Sequence, residues 1–499
     1  MIYYRNMKRL LLLTIGLLAL GAQAGEWRPK ERWRGFNLPG LAIKGSFEGQ
    51  VAESDFEMIA ELGFNFVRLP IDYRYFCQES DAMQPDAEKF PRLDKIIGWG
   101  RKHGIHVNLA YATFPGMQLK PRSKGPLFKD PEVRRHLAEN WRFIARRYRG
   151  VPNDELTFNL FNEPDSTAIA AIYKETVEMC LRAIHEEDPE RFVIIDGYRC
   201  GRGSVPELYA TEVGQSLHAY EPSGLTHYRA NWVNGNDLAP KPVWPPSLVV
   251  SPMRGKNHAP IVNGEVVIRD LPACVFAIEA GLLKREAEII VRADDREILR
   301  YYLAPSPDAP GWTNCQVRVD GRYAAVPLKP IECLVPACKR FSVTMGKGEW
   351  MDVVAWTFTS LDGKTLRVEA QQSWPASERD RDELRFMGFD QPLALASGHS
   401  WTGADYLQRE TWNDWDRLRA AGRFMMVGEF GVLNTVDHAT TLAWMEDNLK
   451  EWKKRDLGWA MWNFRGGMGI MDSDRKDAEY VDFHGHRLDR KMYELLKRY

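Results

Sequence analysis

The chain lacks an excess of charge of either sign: 67 Lys and Arg stand against 68 Asp and Glu, a net charge of −1 at pH 7. It offers no basic field to hold nucleic acid or an anionic lipid surface, and neither is expected as a partner. It also lacks any apolar run of the ~20 residues that a membrane-spanning helix needs. Cysteines are few and odd in number, seven in 499 residues. None has the CxxC spacing or companion histidines of a zinc site. No GxGxxG or P-loop follows an apolar run, which removes the usual signatures of dinucleotide and nucleotide binding.

What is present begins with a leader. Arg5, Lys8 and Arg9 precede the apolar run Leu10 to Leu20, and Ala22-Gln23-Ala24 follows. A basic start, a short apolar stretch and a small-x-small site predict a signal peptide over residues 1–24 and a secreted or periplasmic mature chain without a membrane span. Export permits disulfides. Four cysteines fall in one segment (Cys274, Cys315, Cys333, Cys338), where a local bridge is open and the pairing undetermined. Aromatic residues are plentiful, with 17 Trp, 18 Tyr and 22 Phe, and flat apolar faces with a polar tip suit the C–H faces and hydroxyl edges of sugars.

From residue 25 to about 248 short apolar strands alternate with amphipathic helices. Phe64–Leu69 follows a helix predicted to start at Ser54, with Glu57 as capping partner, and to stop at Gly63. Asp130-Pro131 opens another, whose apolar residues Val133, Leu137, Trp141 and Ile144 recur every three or four positions. Strands are read at Trp33–Phe36, Phe64–Leu69, Ile105–Leu109, Leu156–Phe161, Val193–Ile195 and Gln215–His218. The rhythm returns over 396–499 with Phe424–Val427 and Trp459–Trp462. Eight mostly continuous apolar strands with helices between them predict a (β/α)8 TIM barrel. Residues 249–395 read differently, as short strands at 265–268, 274–278, 288–291, 316–319, 341–344, 353–358 and 366–370, separated by turn signals such as Asp320-Gly321 and Asp362-Gly363. They predict a β-sandwich inserted between strands 6 and 7.

In such a barrel chemistry gathers at the C-terminal ends of the strands. Strand four runs out into Asn162-Glu163-Pro164 and strand seven into Glu429-Phe430-Gly431. Two carboxylates across one mouth are what glycosidic cleavage needs, one to protonate the leaving oxygen and one to attack or to activate water. Arg68 ends strand two and can hold a carboxylate ionised. His218 and Tyr220 end strand six, and Trp462 ends strand eight.

These residues make the chain resemble glycoside hydrolase family 5, the cellulase-like family of retaining β-glycanases. The resemblance rests on Val67-Arg68-Leu69-Pro70, Leu160-Phe161-Asn162-Glu163-Pro164, His218-Ala219-Tyr220-Glu221-Pro222, Val427-Gly428-Glu429-Phe430-Gly431 and Trp459-Ala460-Met461-Trp462. It implies Glu163 as acid/base, Glu429 as nucleophile and Asn162 as partner of a sugar 2-hydroxyl. Arg68 and Tyr220 are implied as supports of the nucleophile, His218 as a site residue and Trp462 as the floor of a sugar subsite. The implied substrate is a β-glycan, with no cofactor and no metal. One motif departs: Ala112 stands where the family usually has a histidine, which removes a polar contact near the sugar.

Asp482, His484 and His486 lack further ligands at suitable spacing and read as a solvated or packed terminal segment. In the insert, Trp312, Trp350 and Trp356 are candidates for sugar stacking, against core packing as the ordinary role of Trp in a sandwich. A non-hydrolytic glycan-binding barrel and a transglycosylase remain as alternative activities. The choice of β-glycan, endo or exo action and the oligomeric state are not written in the sequence.

Overall fold

The computed structural model describes residues 27–45, 51–78, 84–114, 116, 126–164, 170–233, 240–255, 265–306, 310–317, 323–372 and 383–499. The expected leader, Pro115 and the Asp320-Gly321 turn lie outside these residues, as does the side chain of Cys315.

Eight parallel strands close into a barrel in chain order: β1 (Arg34–Asn37), β2 (Phe66–Asp72), β3 (His106–Thr113), β4 (Leu156–Asn159), β5 (Val193–Asp196), β6 (Gly214–Ala219), β7 (Met425–Phe430) and β8 (Gly458–Met461). β8 closes the ring by pairing with β1 at Arg34 and Trp459. Each of the eight apolar runs supplies one strand. Every residue of β2 and β3 is buried, as a sheet covered on both faces requires.

The surrounding helices form where the periodicity places them. Pro131–Arg147 starts on Asp130, whose side chain accepts from the Glu132 N–H at 2.9 Å, and buries Val133, Leu137, Trp141 and Ile144. Glu53–Glu61 departs from expectation at its start. Ser54 lies inside the helix, and Asp55 reaches back to the Ala52 N–H at 2.9 Å. That is the acidic half of a capping box, with alanine in the place of the hydroxyl half. Gly63 ends the turn with φ +79°, as the sequence requires.

Alternation along the strands sorts the barrel interior into layers. The register sets Phe66 beside His106 and Arg68 beside Asn108. Phe66 and His106 join Trp33, Phe192, Ile194, Phe424, Met426 and Ala460 in a plug, with the imidazole stacked 4.2 Å from the Trp33 ring. Burial there pushes the His106 pKa down to about 3, so it stays neutral. Above the plug the filling turns polar: Asn37, Arg68, Asn108 and Asn159 are all buried.

Between β6 and β7 the chain builds a second sheet, eleven-stranded among the described residues. The short strands expected at 274–278 and 288–291 are two ends of one 20-residue strand, Cys274–Ala293. Those expected at 341–344 and 353–358 belong to one 23-residue strand, Cys338–Ser360. The two run antiparallel with register shifts between Glu279 and Ala280, Ala280 and Leu283, Lys284 and Ala287, and Glu288 and Ile289. Each bulge bends its strand, and together they fold the sheet over itself. Phe276 and Phe341 stand near opposite ends of a ladder that, laid flat, would hold them roughly 55 Å apart. Their rings meet at 4.9 Å, with Trp356 and Phe358 5.2 and 5.1 Å from Phe276. The sandwich is therefore one continuous sheet doubled over one core.

Among the strands of five or more residues in the insert, three escape the sequence reading: Arg296–Leu303, Tyr323–Pro327 and Ile331–Val335. The hairpin into the first turns on Asp294 and Asp295, at φ +48° and +64°, without the glycine that would have announced it. In the described part of the insert Cys274, Cys333 and Cys338 carry thiols, which burial raises to about 11. Trp401 packs against both the barrel core and the insert core, and its indole N–H donates to Pro246 O at 2.8 Å.

Phe276 is 1% exposed, so Phe276→Ala should cost the insert about 3–5 kcal/mol. Urea unfolding followed by near-ultraviolet circular dichroism should show an early transition absent from the wild-type chain.

Candidate active site

The site is built around Arg68, 1% exposed and inside β2 rather than at its end as expected, because the strand runs on to Asp72. Its Nη1 donates to Glu429 Oε1 at 2.6 Å and to Asn37 Oδ1 at 3.1 Å. Its Nη2 donates to Asn159 Oδ1 and Asn162 Oδ1, both at 2.8 Å, and approaches Asp196 Oδ2 at 3.4 Å. One guanidinium thus joins β1, β2, β4, β5 and β7.

Glu429 owes its direction to a bulge. Val427 pairs with Leu217 and Glu429 with His218, so Gly428 is an extra residue in β7. The insertion turns Glu429 to the face that His218 occupies. A Cβ on Gly428 would lie 2.1 Å from Ser216 Oγ, so any larger residue at the bulge would have to displace that hydroxyl. The second Glu429 oxygen accepts from the Tyr220 hydroxyl at 3.0 Å. Burial lifts the Glu429 carboxyl above the ordinary glutamate value, against the pull of His218 and Arg68.

Glu163 lies four residues past β4 rather than at its end, at φ +47°, a conformation that a glutamate adopts only under constraint. Its N–H donates to Asp196 Oδ2 at 3.0 Å, and its Oε1 stands 3.1 Å from His218 Nδ1. The other His218 nitrogen is 3.1 Å from Asp196 Oδ2, and Nδ1 is 3.6 Å from Glu429 Oε2. Burial alone would keep this imidazole neutral, but Asp196 and Glu429 beside it raise its pKa to about 10. His218 and Arg68 in turn overcome the burial of Asp196 and bring it down to about 2. Gly201, at φ +76°, leaves room for the ring, since a Cβ there would come within 2.7 Å of His218 Cβ and Cγ. An oxygen of Glu163, an oxygen of Glu429 and a nitrogen of His218 all lie within 4.8 Å of one another.

Six of the seven residues singled out from sequence (Arg68, Asn162, Glu163, His218, Tyr220 and Glu429) therefore form one bonded cluster. Trp462 stands one residue beyond β8, partly buried, its N–H donating to Phe430 O at 2.7 Å.

The profile of the cellulase family (glycosyl hydrolase family 5) matches residues 25–242. Over those residues, a little under half of its length, the chain is similar to that family. Endoglucanase C of Acetivibrio thermocellus is 29% identical over 211 residues, 40% of this chain and 60% of that protein. Cellodextrinase A of Ruminococcus flavefaciens is 28% identical over 211 residues, 40% of this chain and 61% of its own length. The matches thus span about three fifths of these relatives. Among solved structures, one described as a glycoside hydrolase superposes with a TM-score of 0.60 at 21% identity, over 94% of this chain and 99% of the other. Endoglucanase Cel5A of Thermotoga maritima gives 0.51 at 17% identity, over 93% and 96%. At such identities the superpositions establish the fold.

Three residues of this site were not anticipated: Asn37, Asn159 and Asp196. Asn37 and Asp196 are the last residues of β1 and β5. The strand-end rule would have found them had those strands been read one residue longer. Ala112, in place of the usual family histidine, is 1% exposed beneath Ala42 and Ile43, so an apolar cap closes the position.

Glu163, His218 and Glu429 are also the one group of potential metal ligands found among the described residues. With both ring nitrogens facing carboxylates His218 is a cation, and ligation would require it to lose the proton those carboxylates hold. Near the C-terminus His484 pairs with Glu61 and His486 with Asp472, each at 2.8 Å, and they form no such group with Asp482.

His218 supplies a pH test. Its pKa rises from 6.5 to about 10 on folding, so its stabilisation is complete below pH 6.5 and is lost as pH climbs through about 10. His218→Asn should be clearly less stable than wild type at pH 6.5, with the gap closing by pH 10, in urea unfolding measured at both.

Proposed function

We propose that the barrel hydrolyses β-linked glucan or mannan-type chains by double displacement with retention. The observation that carries this reading is the facing pair Glu163 and Glu429, with oxygens within 4.8 Å of each other. That closeness suits the ~5–5.5 Å carboxyl separation of retaining enzymes, whereas ~6.5–9.5 Å leaves room for the water that inversion needs.

Glu429 attacks the anomeric carbon, steadied by Arg68 on one oxygen and Tyr220 on the other. Glu163 protonates the departing oxygen and then draws a proton from the water that frees the sugar. The charges explain how one group does both. Arg68 and His218 balance Asp196 and Glu429, so the cluster is neutral when Glu163 holds a proton. Once Glu429 becomes an ester and Glu163 has given its proton away, the sum is again zero. The acid therefore becomes a base with no net charge left in a buried site. Asn162, held by Arg68, is set to meet a sugar 2-hydroxyl, and Trp462 offers a flat face at the edge of the mouth.

The names of the relatives, endoglucanase and cellodextrinase, favour β-glucan over mannan. Secretion or delivery to the periplasm belongs to the same proposal and rests on the leader pattern of residues 1–24. Among the described residues no helix is long and apolar enough to cross a membrane.

Glu429→Ala and Glu163→Ala should each lower kcat on cello-oligosaccharides by at least about a thousandfold, roughly 4 kcal/mol of barrier. Proton NMR of the wild-type reaction should show the β-anomer first. First appearance of the α-anomer, or equal rates for wild type and Glu429→Ala, would overturn the mechanism.

A further inference from the structure

Glu163 keeps a left-handed backbone, at φ +47°, although it lies in no strand or helix. Such a conformation persists only where the surroundings hold it. What holds it is the tip of the next strand. Asp196, the last residue of β5, accepts the Glu163 N–H on Oδ2 at 3.0 Å. The same oxygen stands 3.1 Å from His218 Nε2, and Nδ1 on the far side of that ring stands 3.1 Å from Glu163 Oε1. Asp196 thus reaches Glu163 by two routes, directly at its backbone and through one imidazole at its carboxyl.

Asp196 is itself fixed. It is 0% exposed, its Oδ1 accepts from Asn159 Nδ2 at 3.1 Å, and its Oδ2 lies 3.4 Å from Arg68 Nη2. Its backbone carbonyl accepts from the Tyr173 hydroxyl of the helix Ala170–His185. The charged and titratable groups facing it are Arg68 from β2, His218 from β6, Glu163 beyond β4 and Tyr173, with the charge of Glu429 on β7 felt through space. Both carboxylate oxygens face donors. An amide in this place would have to turn its NH2 either to Asn159 or to Glu163, His218 and Arg68, so no orientation of an asparagine serves both sides.

We propose that Asp196 is the positioning residue of the acid/base: it fixes the backbone of Glu163 and, through His218, the direction of its carboxyl. The inference rests on the proposed double displacement and assigns to that reaction the residue that aims its proton donor. A displaced donor fails to deliver its proton to the glycosidic oxygen. Attack by Glu429 on a sugar whose leaving group needs no proton continues. The loss should therefore follow the leaving group.

The test measures the full-length wild-type and Asp196→Asn proteins on cellohexaose, whose leaving alcohol needs a proton, and on dinitrophenyl β-cellobioside, whose acidic phenol needs none. Asp196→Asn should lower kcat/KM about a hundredfold on the hexaose and no more than about tenfold on the dinitrophenyl substrate. Sodium azide should raise kcat of the variant on the dinitrophenyl substrate at least about threefold and give the β-glycosyl azide. Azide nitrogen bonds the anomeric carbon as the bond from that carbon to Glu429 breaks, and no proton is left for Glu163 to take. Equal losses on the two substrates, or no response to azide, would overturn the proposal. Where the unbalanced cation prevents folding, Asp196→Asn combined with His218→Asn removes charge and counter-charge together, and the same pattern decides. Should the wild-type protein cleave neither substrate, the hydrolase reading fails instead. Amide hydrogen exchange at Glu163, followed by NMR with isotope-labelled glutamate, then decides the hold of Asp196: for it, exchange at least about tenfold faster in Asp196→Asn, against it, an unchanged rate.

Discussion

A guanidinium placed in the middle of a barrel and kept from water is the constraint around which the rest of the site is arranged. Stripping a charge of solvent costs several kcal/mol unless its donors are answered. The structure answers Arg68 with three asparagine carbonyls and two carboxylates from four other strands. The planar fork of arginine directs its donors, so each partner is fixed in direction as well as in distance. A lysine would supply the charge without that geometry. In this sense the cation aligns the strands' polar ends, and Glu429 and Asn162 inherit their positions from it.

The same structural device shapes both halves of the molecule. In β7 one extra residue turns a glutamate to the inner face, and in the insert a run of bulges doubles a long ladder over its own core. Both work because side chains alternate along a strand, so a single unpaired residue exchanges faces. In the barrel the exchange brings a carboxylate to the mouth. In the insert the plain alternation of the pleat then sends Met253 and Met351 inward, while their neighbour Arg254, 2% exposed, lies beside Glu221 and Glu410 of the barrel.

The barrel was legible because each buried strand is a continuous apolar run between helices with strong start and stop signals. The polar cluster was legible where a polar residue interrupted those runs, at Arg68 inside β2, at His218 near the end of β6 and at Glu429 near the end of β7. Asn37 and Asp196 were lost by a single residue, since apolarity marks the covered part of a strand and falls silent at its polar tip. Glu163 was read at a strand end, but its backbone leaves β4 four residues earlier, and the constraint on it comes from Asp196, distant in sequence. The insert was least legible. Period-two patterns show short stretches well, but a bulge resets the phase, so one long strand reads as two. The Asp294-Asp295 turn carries no glycine, and the strand behind it, exposed along much of its length, has little apolar signal to show.

The seat of Arg254 bears on how such a chain can change over evolutionary time. An appendage joined by flexible tethers can be lost or traded like a cassette, leaving its host intact. Here removal would take one of the cations, Arg254, from beside Glu221 and Glu410 and strip one side of Trp401, whose indole is shared by two cores. The two units are thus mortised together, and descent should have kept or altered them jointly rather than swapping one for another.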